Sequence, residues 1–479
     1  MLLSQLFKIE NNLKEMEIKT ISKDCKTLGA DIYFCLTSDK LKAFSRCQTA
    51  KENDAKLIVS QFEMPFENSI KVENVRECFA DACSKFYGEP SKKLKVVGVT
   101  GTNGKTTTAY IIYEILKRNG RKVGLVGTNG VFYDGKKFDC PLTTPDADFL
   151  NNTFAKMIEA GIEYVIMEVS AHAIDQKRVW GIKFEIGVLT NITQDHLDYF
   201  KTMDFYAETK FKFVTKNYLK AAVVCIDDER IKQEAKNFDV KTYTYGIENP
   251  ADSFAIDMVC DINGSYFLAN ICDNVFEVKT NLVGRHNVYN SLGALTACKL
   301  LGLSNEELFR GISFISPAEG RFNIMKVNGA YAVVDYAHTP DSLKNVLETA
   351  RKLTDKKVFV VFGCGGNRDE TKREIMGQIA EEYADYVCIT NDNPRDEIPQ
   401  KIASEIEKLM KKPHFVELDR AKAIKKMLSL SQEGDIVVIA GKGAEKYQEV
   451  AGRKTPFSDF DVIIDYLEDS QKKEVNADD

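Results

Sequence analysis

The chain has no excess of basic charge. Its 65 Lys and Arg are outnumbered by 71 Asp and Glu, for a net charge of -6. A general nucleic-acid binder needs a basic face for phosphate contacts, so the balance argues against that class. An anionic small molecule is not, because a few focused Lys and Arg residues suffice. The twelve cysteines include no CxxC pair, and the five histidines show no paired ligand spacing. A disulfide scaffold and a zinc site are therefore not expected, and reduced cytosolic thiols fit the pattern. No apolar run approaches the ~20 residues that span a bilayer. The first residues, Met1 to Lys19, are interrupted by charges and lack the apolar core of a signal peptide. A cytoplasmic protein without membrane contact is expected. At 479 residues and 44% hydrophobic, the chain has enough apolar material for two to four domains.

The most informative stretch is VVGVTGTNGKTTTAY, residues 96–110. An apolar β-branched run meets a glycine turn that ends in Lys105-Thr106-Thr107, and a helix-compatible segment follows. Strand, glycine loop and helix N-terminus is the layout of a phosphate-binding loop. Gly101 and Gly104 let the backbone approach an anion. Thr102, Asn103, Thr106 and Thr107 offer N–H groups beside them. Lys105 has the reach for terminal phosphates, and the Thr106 hydroxyl suits Mg²⁺. The common GxxxxGK[ST] pattern wants glycine at position 99, which is Val; the loop reads GxxGKT instead.

Residues 1–89 form a first unit with β-like runs at Ile32–Leu36 and Leu57–Val59, a polar helical turn at 51–55 and a helix over 72–86. The turn-rich segment 87–93 marks a boundary. Residues 90–315 alternate strands with helices, which points to a mainly parallel sheet. After the loop come a strand over 122–127, the segment Thr143-Thr144-Pro145-Asp146 and a helix ending near Ala160. The buried run Tyr164–Val169 carries Glu168 near its end, where ligands of parallel sheets bind. A carboxylate there is placed like the Mg²⁺ acid of other phosphate-loop enzymes, or it caps the next turn. After the strand Ile186–Leu189, His196 lies in a polar loop between Asp195 and Asp198. Metal or phosphate contact and a structural hydrogen bond both fit it. Lys210 falls in a helical pattern and reads, on pattern alone, as a solvated lysine. Asn287 and Asn290 share one helical face and suit either a base edge or a cap.

Residues 316–479 form a third, Rossmann-like unit. Its strands end in Asp335-Tyr336-Ala337-His338, in Gly363 to Asp369, in Asn391-Asp392-Asn393-Pro394-Arg395, and in Gly441-Lys442-Gly443-Ala444-Glu445. Four polar, glycine-bearing strand ends point to one site. A charged tail after Leu467 reads as frayed.

Together these segments resemble the Mur ligases, ATP-dependent amide-forming enzymes of cell-wall precursor synthesis, over residues 94–460. TGTNGKTT at 100–107 is similar to the family's ATP loop. MEVSAHAIDQKRV at 167–179 is similar to its metal and muramoyl-peptide motif. DHLDY with FYAETK resembles the segment carrying a carbamoylated lysine, and DYAHTPDSL, FGCGGNRD and DNPR resemble its C-terminal signatures. The resemblance implies an α/β chain with three-domain Mur ligase architecture. A divergent UDP-binding-like domain (1–89) precedes a central ATP-binding domain with a P-loop-type parallel sheet (90–315) and a Rossmann-like amino-acid-binding domain (316–479). It implies that ATP and Mg²⁺ activate a carboxylate as an acyl phosphate, which an amine then attacks. Lys105, Glu168, His196 and Lys210 would be the catalytic set. Thr106, Glu168 and His196 would approach the metal, and Lys210 would be carbamoylated. Asn287, Arg321, Asp335 and His338 would surround the nucleotide. Thr143, Thr144, Ser170, Gln176 and Arg178 would contact a UDP-muramoyl-dipeptide.

In the family, DNPR marks members that take meso-diaminopimelate, whose extra carboxylate a guanidinium holds bidentately. Arg395 is the expected clamp, with Arg368, Asp392, Asn393, Pro394, Gly441 and Glu445 around the head groups. The implied enzyme is a monomer acting on small molecules. Two departures stand out. Asp24-Cys25-Lys26 replaces the family's Asp-Ser-Arg of the first domain, and Ala444 replaces a histidine of Gly-Lys-Gly-His-Glu. Two alternatives stay open: a related ligase using lysine or a folylpolyglutamate-type acid, and a nucleotide-binding regulatory protein that keeps the fold without ligation.

Overall fold

The computed structural model describes residues 1–7 and 15–475. The reading of Met1–Lys19 as no signal peptide and the end of the charged tail, 476–479, fall partly outside these residues. Among the described residues three larger sheets follow one another along the chain, and a two-stranded ribbon, Tyr447–Val450 with Arg453–Pro456, follows them. The first has four short parallel strands, Ile21–Ser22, Ile32–Phe34, Leu57–Ser60 and Ser69–Lys71, in that order. The turn expected at 51–55 is the end of a longer helix, Lys40–Glu52, which starts where the Asp39 carboxylate accepts the Lys42 N–H. Only Ala43, Cys47 and Ala50 of this helix are buried, so its apolar stripe is too thin to announce it. The next helix, Val75–Phe86, begins later than its pattern because Asn74 caps it, accepting from the N–H groups of Arg76 and Glu77.

The central sheet has a parallel core in the order Val123–Gly127, Tyr164–Glu168, Lys95–Thr100, Phe184–Leu189, Leu219–Cys225, Lys241–Gly246. Antiparallel ribbons extend both edges: Gly130–Tyr133 with Lys136–Phe138 on one side, and Ser253–Asp261, Gly264–Ile271 and Val275–Thr280 on the other. Of the strands between Lys210 and Val283, Leu219–Cys225 and Ser253–Asp261 lack a clean alternation of burial along their length. Ser253–Asp261 shifts register between Ile256 and Val259, and both of those side chains are exposed. The helices Lys105–Arg118 and Arg285–Leu300 pack together on one face through Ile111, Ile112, Ile115, Val288, Leu292 and Leu295.

The third sheet runs Asn323–Val327, Ala330–Asp335, Ile436–Ala440, Val358–Phe362, Tyr386–Ile389, Phe415–Val416, parallel except for its first, antiparallel edge strand. A helix over Asp459–Val475 takes the place of the frayed tail expected after Leu467. Its start is anchored by Arg420, whose Nε and a terminal nitrogen each lie 2.7 Å from one Asp459 carboxylate oxygen, both residues fully buried. Breaking such a buried, bidentate pair costs about 3–5 kcal/mol, which fixes where the helix starts.

Register brings the chemistry to two edges. Val99 pairs with Glu168 and Thr100 with Leu189, so the glycine loop, Glu168 and the Thr190–His196 loop leave one edge together. Asp335 pairs with Ala440, Val361 with Ile439 and Phe362 with Ile389, so the four polar strand ends of the third sheet share another.

Candidate active site

The two edges open into one cavity of about 920 Å³. Lys105, Glu168 and His196 line one wall, and Asp335, Arg368, Arg395 and Glu445 line another. Four separate strand ends of the third sheet thus contribute to a single site.

The glycine loop turns because Gly104 sits at φ 83° and Gly101 at φ 146°. A Cβ on Gly101 would lie 1.8 Å from Thr190 Oγ1, and one on Gly104 would lie 2.4 Å from Asn290 Oδ1. Among the described residues no side chain caps the helix that follows, so its first N–H groups, which have no intrahelical partner, are left to an anion. Lys105 Nζ is folded back onto its own loop, donating to the carbonyls of Gly101 at 2.9 Å and Thr102 at 2.8 Å. Thr106 donates to Glu168 Oε2 at 2.9 Å and accepts from Arg321 at 2.8 Å. Glu168, 2% exposed, also accepts from the Thr128 N–H at 2.7 Å. This set of hydroxyl and carboxylate oxygens beside a helix N-terminus is the chemistry a hard cation takes. Mg²⁺ needs only one or two protein oxygens when phosphates and water complete its shell, which fits the lack of a three-ligand cluster among the described residues.

Lys210 overturns its pattern reading. It is 1% exposed, donates to the Gly101 carbonyl at 2.8 Å, and lies 4.6 Å from the Tyr206 ring centroid. Burial pushes its ammonium well below the ordinary lysine value, the nearby Lys105 cation adds to the shift, and Asp195 opposes it. Burial also lowers His196 to about 3 and His338 to about 4, so both rings are neutral at neutral pH. His196 occupies a left-handed position at φ 56°, with Nε2 3.3 Å from Asp195 Oδ2. His338 Nδ1 is 2.8 Å from the Tyr336 carbonyl. Asp335 is pushed up by burial, although its carboxylate accepts the N–H groups of Phe322 and Ala337. The paired amides are buried: Asn290 donates to Asn287 Oδ1, and Asn287 donates to the Val283 carbonyl.

Several expected residues stand elsewhere. Gly101 does not line the cavity, but its carbonyl is held by two lysines that do, Lys105 and Lys210. Thr144 is fully buried, its hydroxyl donating to the Glu168 carbonyl and accepting the Ser170 N–H, so it shapes the strand end. Ser170 and Thr143 do line the cavity. Gln176 and Arg178 line a second, small cavity with Arg76 and Asp146. There Arg178 Nε is 3.0 Å from Asp146 Oδ1, and Lys23, just after the strand Ile21–Ser22, holds the same carboxylate at 2.5 Å. Pro394 is buried beneath the loop of Gly366 and does not line the cavity. Sequence reasoning missed Thr128, Asp341, Lys372 and Lys442. Thr128 follows a strand end and was recoverable by the same rule as Glu168. Asp341, 2.7 Å from Asn103 Nδ2, bridges the two walls across 238 residues and left no local signal.

A phosphate-type loop and a second α/β sheet facing each other across one cavity are the design of a ligase that brings two substrates together. The chain belongs to the Mur ligase family: the Mur ligase middle domain matches residues 99–298, and the Mur ligase, glutamate ligase domain, matches residues 320–443. UDP-N-acetylmuramoyl-L-alanyl-D-glutamate--2,6-diaminopimelate ligase of Clostridium tetani is 38% identical over 97% of each chain. A solved structure of an enzyme of that name is 31% identical, with a TM-score of 0.71 over 98% of this chain and 99% of that one. MurF ligase from Thermotoga maritima in complex with ADP shares the fold, at 20% identity and a TM-score of 0.64 over 95% of this chain and 98% of that one.

Proposed function

We propose that the protein joins meso-diaminopimelate to UDP-N-acetylmuramoyl-L-alanyl-D-glutamate at the expense of ATP, as a cytoplasmic monomer in peptidoglycan precursor synthesis. The observation that carries this reading is that Lys105 and Arg395, from different sheets, line one cavity. A carboxylate is a poor acceptor for an amine at neutral pH. Transfer of the γ-phosphoryl group to it gives an acyl phosphate; the amine attacks that carbonyl, and phosphate leaves from the tetrahedral intermediate. Little covalent work falls to the protein, whose part is positioning and charge neutralisation.

Lys105, turned away from its two loop carbonyls, would hold the β- and γ-phosphates with the N–H groups of Thr106 and Thr107. Thr106, Glu168 and His196 would hold Mg²⁺, which when bound neutralises phosphate charge. Asn287, Arg321, Asp335 and His338 would surround the nucleotide, and Asp341 would report its loop to the third sheet through Asn103. Lys210, as a neutral amine, would add to CO₂ and lose a proton, giving a buried carbamate anion beside the Lys105 ammonium. Thr143 and Ser170 would face the dipeptide, with Gln176 and Arg178 at the first-domain side. Arg395, Arg368, Asp392, Asn393, Gly441 and Glu445 would take the amino acid. Water must be kept from an acyl phosphate, which suits an interdomain cavity.

The test is ADP release, with product identification, on UDP-muramoyl-dipeptide and each candidate amine. Amide formation with meso-diaminopimelate is expected. Preference for lysine, or nucleotide binding without any amide product, would overturn it.

A further inference from the structure

Beneath the proposed amino-acid site lies a charge that no substrate role accounts for. Lys442 is 0% exposed. Its Nζ donates to Glu445 Oε2 at 2.9 Å and to Asn393 Oδ1 at 3.1 Å. Asn393 Nδ2 donates to the same Glu445 Oε2 at 2.9 Å. Asn393 Oδ1 also accepts the Glu449 N–H at 2.9 Å, and Glu449 Oε2 lies 3.4 Å from Arg395 Nε. One oxygen of a cavity-lining carboxylate is thus doubly held from below, while no hydrogen bond reaches Oε1 among the described residues. The loop is shaped for this. Gly441 sits at φ 115°, where a Cβ would lie 2.5 Å from Asp392 Oδ2, and the Glu445 N–H returns to the Lys442 carbonyl.

We propose that Lys442 is a positioning residue for amine selection. It fixes Glu445 so that, among the described residues, Oε1 is the carboxylate oxygen left for a substrate ammonium. The charges around this carboxylate include Arg368, Arg395, Asp392 and Glu449, and the buried Arg420, which is paired with Asp459. A bare ammonium, as on the lysine side chain, meets Glu445 but leaves Arg395 without a carboxylate. A head group carrying ammonium and carboxylate together satisfies both. The inference rests on the reading of this cavity as the diaminopimelate site and adds a residue to it.

The test is steady-state kinetics of Lys442→Met, Glu445→Gln and the double variant with meso-diaminopimelate, lysine and ATP. In Lys442→Met, KM for diaminopimelate is expected to rise about tenfold or more, KM for ATP to stay within about twofold, and preference over lysine to shrink. If Lys442 acts through Glu445, the double variant matches Glu445→Gln within about twofold. An unchanged diaminopimelate KM in folded Lys442→Met, an equal rise for ATP, or a double variant about tenfold worse than Glu445→Gln would overturn the proposal. If Lys442→Met does not fold, Lys442→Gln, which keeps a donor without the charge, is measured in its place against the same outcomes. Wild-type protein that makes no amide with diaminopimelate would remove the functional reading itself; wild-type turnover beside an indifferent Lys442→Met would remove only this inference.

Discussion

Lys210 Nζ donates a 2.8 Å hydrogen bond to the Gly101 carbonyl, and Lys105 Nζ donates to that same oxygen at 2.9 Å. Two lysines on one carbonyl, one of them fully buried, repel each other. The cheapest relief is for the buried one to be neutral. A neutral amine is the form that adds to CO₂, so carbamate is expected above the lowered Lys210 pKa and is lost as pH falls through it. Depleting CO₂ and bicarbonate should lower activity reversibly, and more steeply at acid pH. Lys210→Ala should lose about 10²–10³-fold in kcat. A ¹³C-carbamate signal should appear in the wild type with labelled bicarbonate and vanish in the variant. Full activity in CO₂-free buffer would refute the modification.

Lys105→Ala should also lose about 10²–10³-fold in kcat/KM, because an oriented cation on developing phosphate charge is removed. Gly101→Ala tests the loop rather than the charge. Its Cβ would enter the space of Thr190 Oγ1 from a positive φ, so binding of a fluorescent ATP analogue should fail even with Lys105 intact. Normal turnover in Lys105→Ala would remove the phosphate-loop assignment.

What the sequence disclosed follows from how local each signal is. The loop at 100–107 was legible because strand, glycines and lysine lie within a dozen residues. The strand-end residues Glu168, Asp335 and Arg395 were legible because a parallel sheet sends every such end to one edge. The burial of Lys210 was not, since Met203–Phe211 has no apolar stripe and its cage is polar: Gly101 and Thr102 from a loop a hundred residues away, with Tyr206 donating to or accepting from Thr102 at 3.1 Å. The pairing of Lys442 with Asn393, and the Lys23–Asp146–Arg178 bridge from just after the strand Ile21–Ser22, join distant segments and leave no spacing to read. The antiparallel ribbon over 253–280 was hidden by its bulge and by its exposed Ile256 and Val259.

Acid should destabilise the fold through its histidines. Burial lowers His286 and His338 to about 4 and His196 to about 3, against about 6.5 in an unfolded chain. Below that unfolded value the unfolded state binds more protons, so stability falls as pH drops toward the folded values. Asp335, pushed up by burial, works in the opposite direction. Thermal midpoints measured from neutral pH to about 4.5 should therefore decline, and His286→Gln should flatten the slope. A slope identical to the wild type would mean that His286 is not neutral in the folded protein.

Arg395 is held to an unusual degree for a surface-loop arginine. Its backbone sits at φ 52°, its N–H donates to the Glu449 carbonyl, and its own carbonyl accepts the Ala451 N–H. The guanidinium donates to the Gly366 carbonyl at 2.7 Å and approaches Glu449 through Nε, which leaves its other terminal nitrogen for a carboxylate in the cavity. Arg395→Ala should weaken diaminopimelate by the equivalent of about 2–5 kcal/mol, the range for removing one partner of a desolvated charge pair. KM for ATP should change little, and preference over lysine should collapse because the discriminating carboxylate has lost its partner. Arg395→Lys should not restore it, since an ammonium cannot hold the Gly366 carbonyl and Glu449 and still present a further donor to the cavity. Equal losses for ATP and diaminopimelate would mean that Arg395 braces the loop between Gly366 and Glu449 and does not touch the amino acid at all.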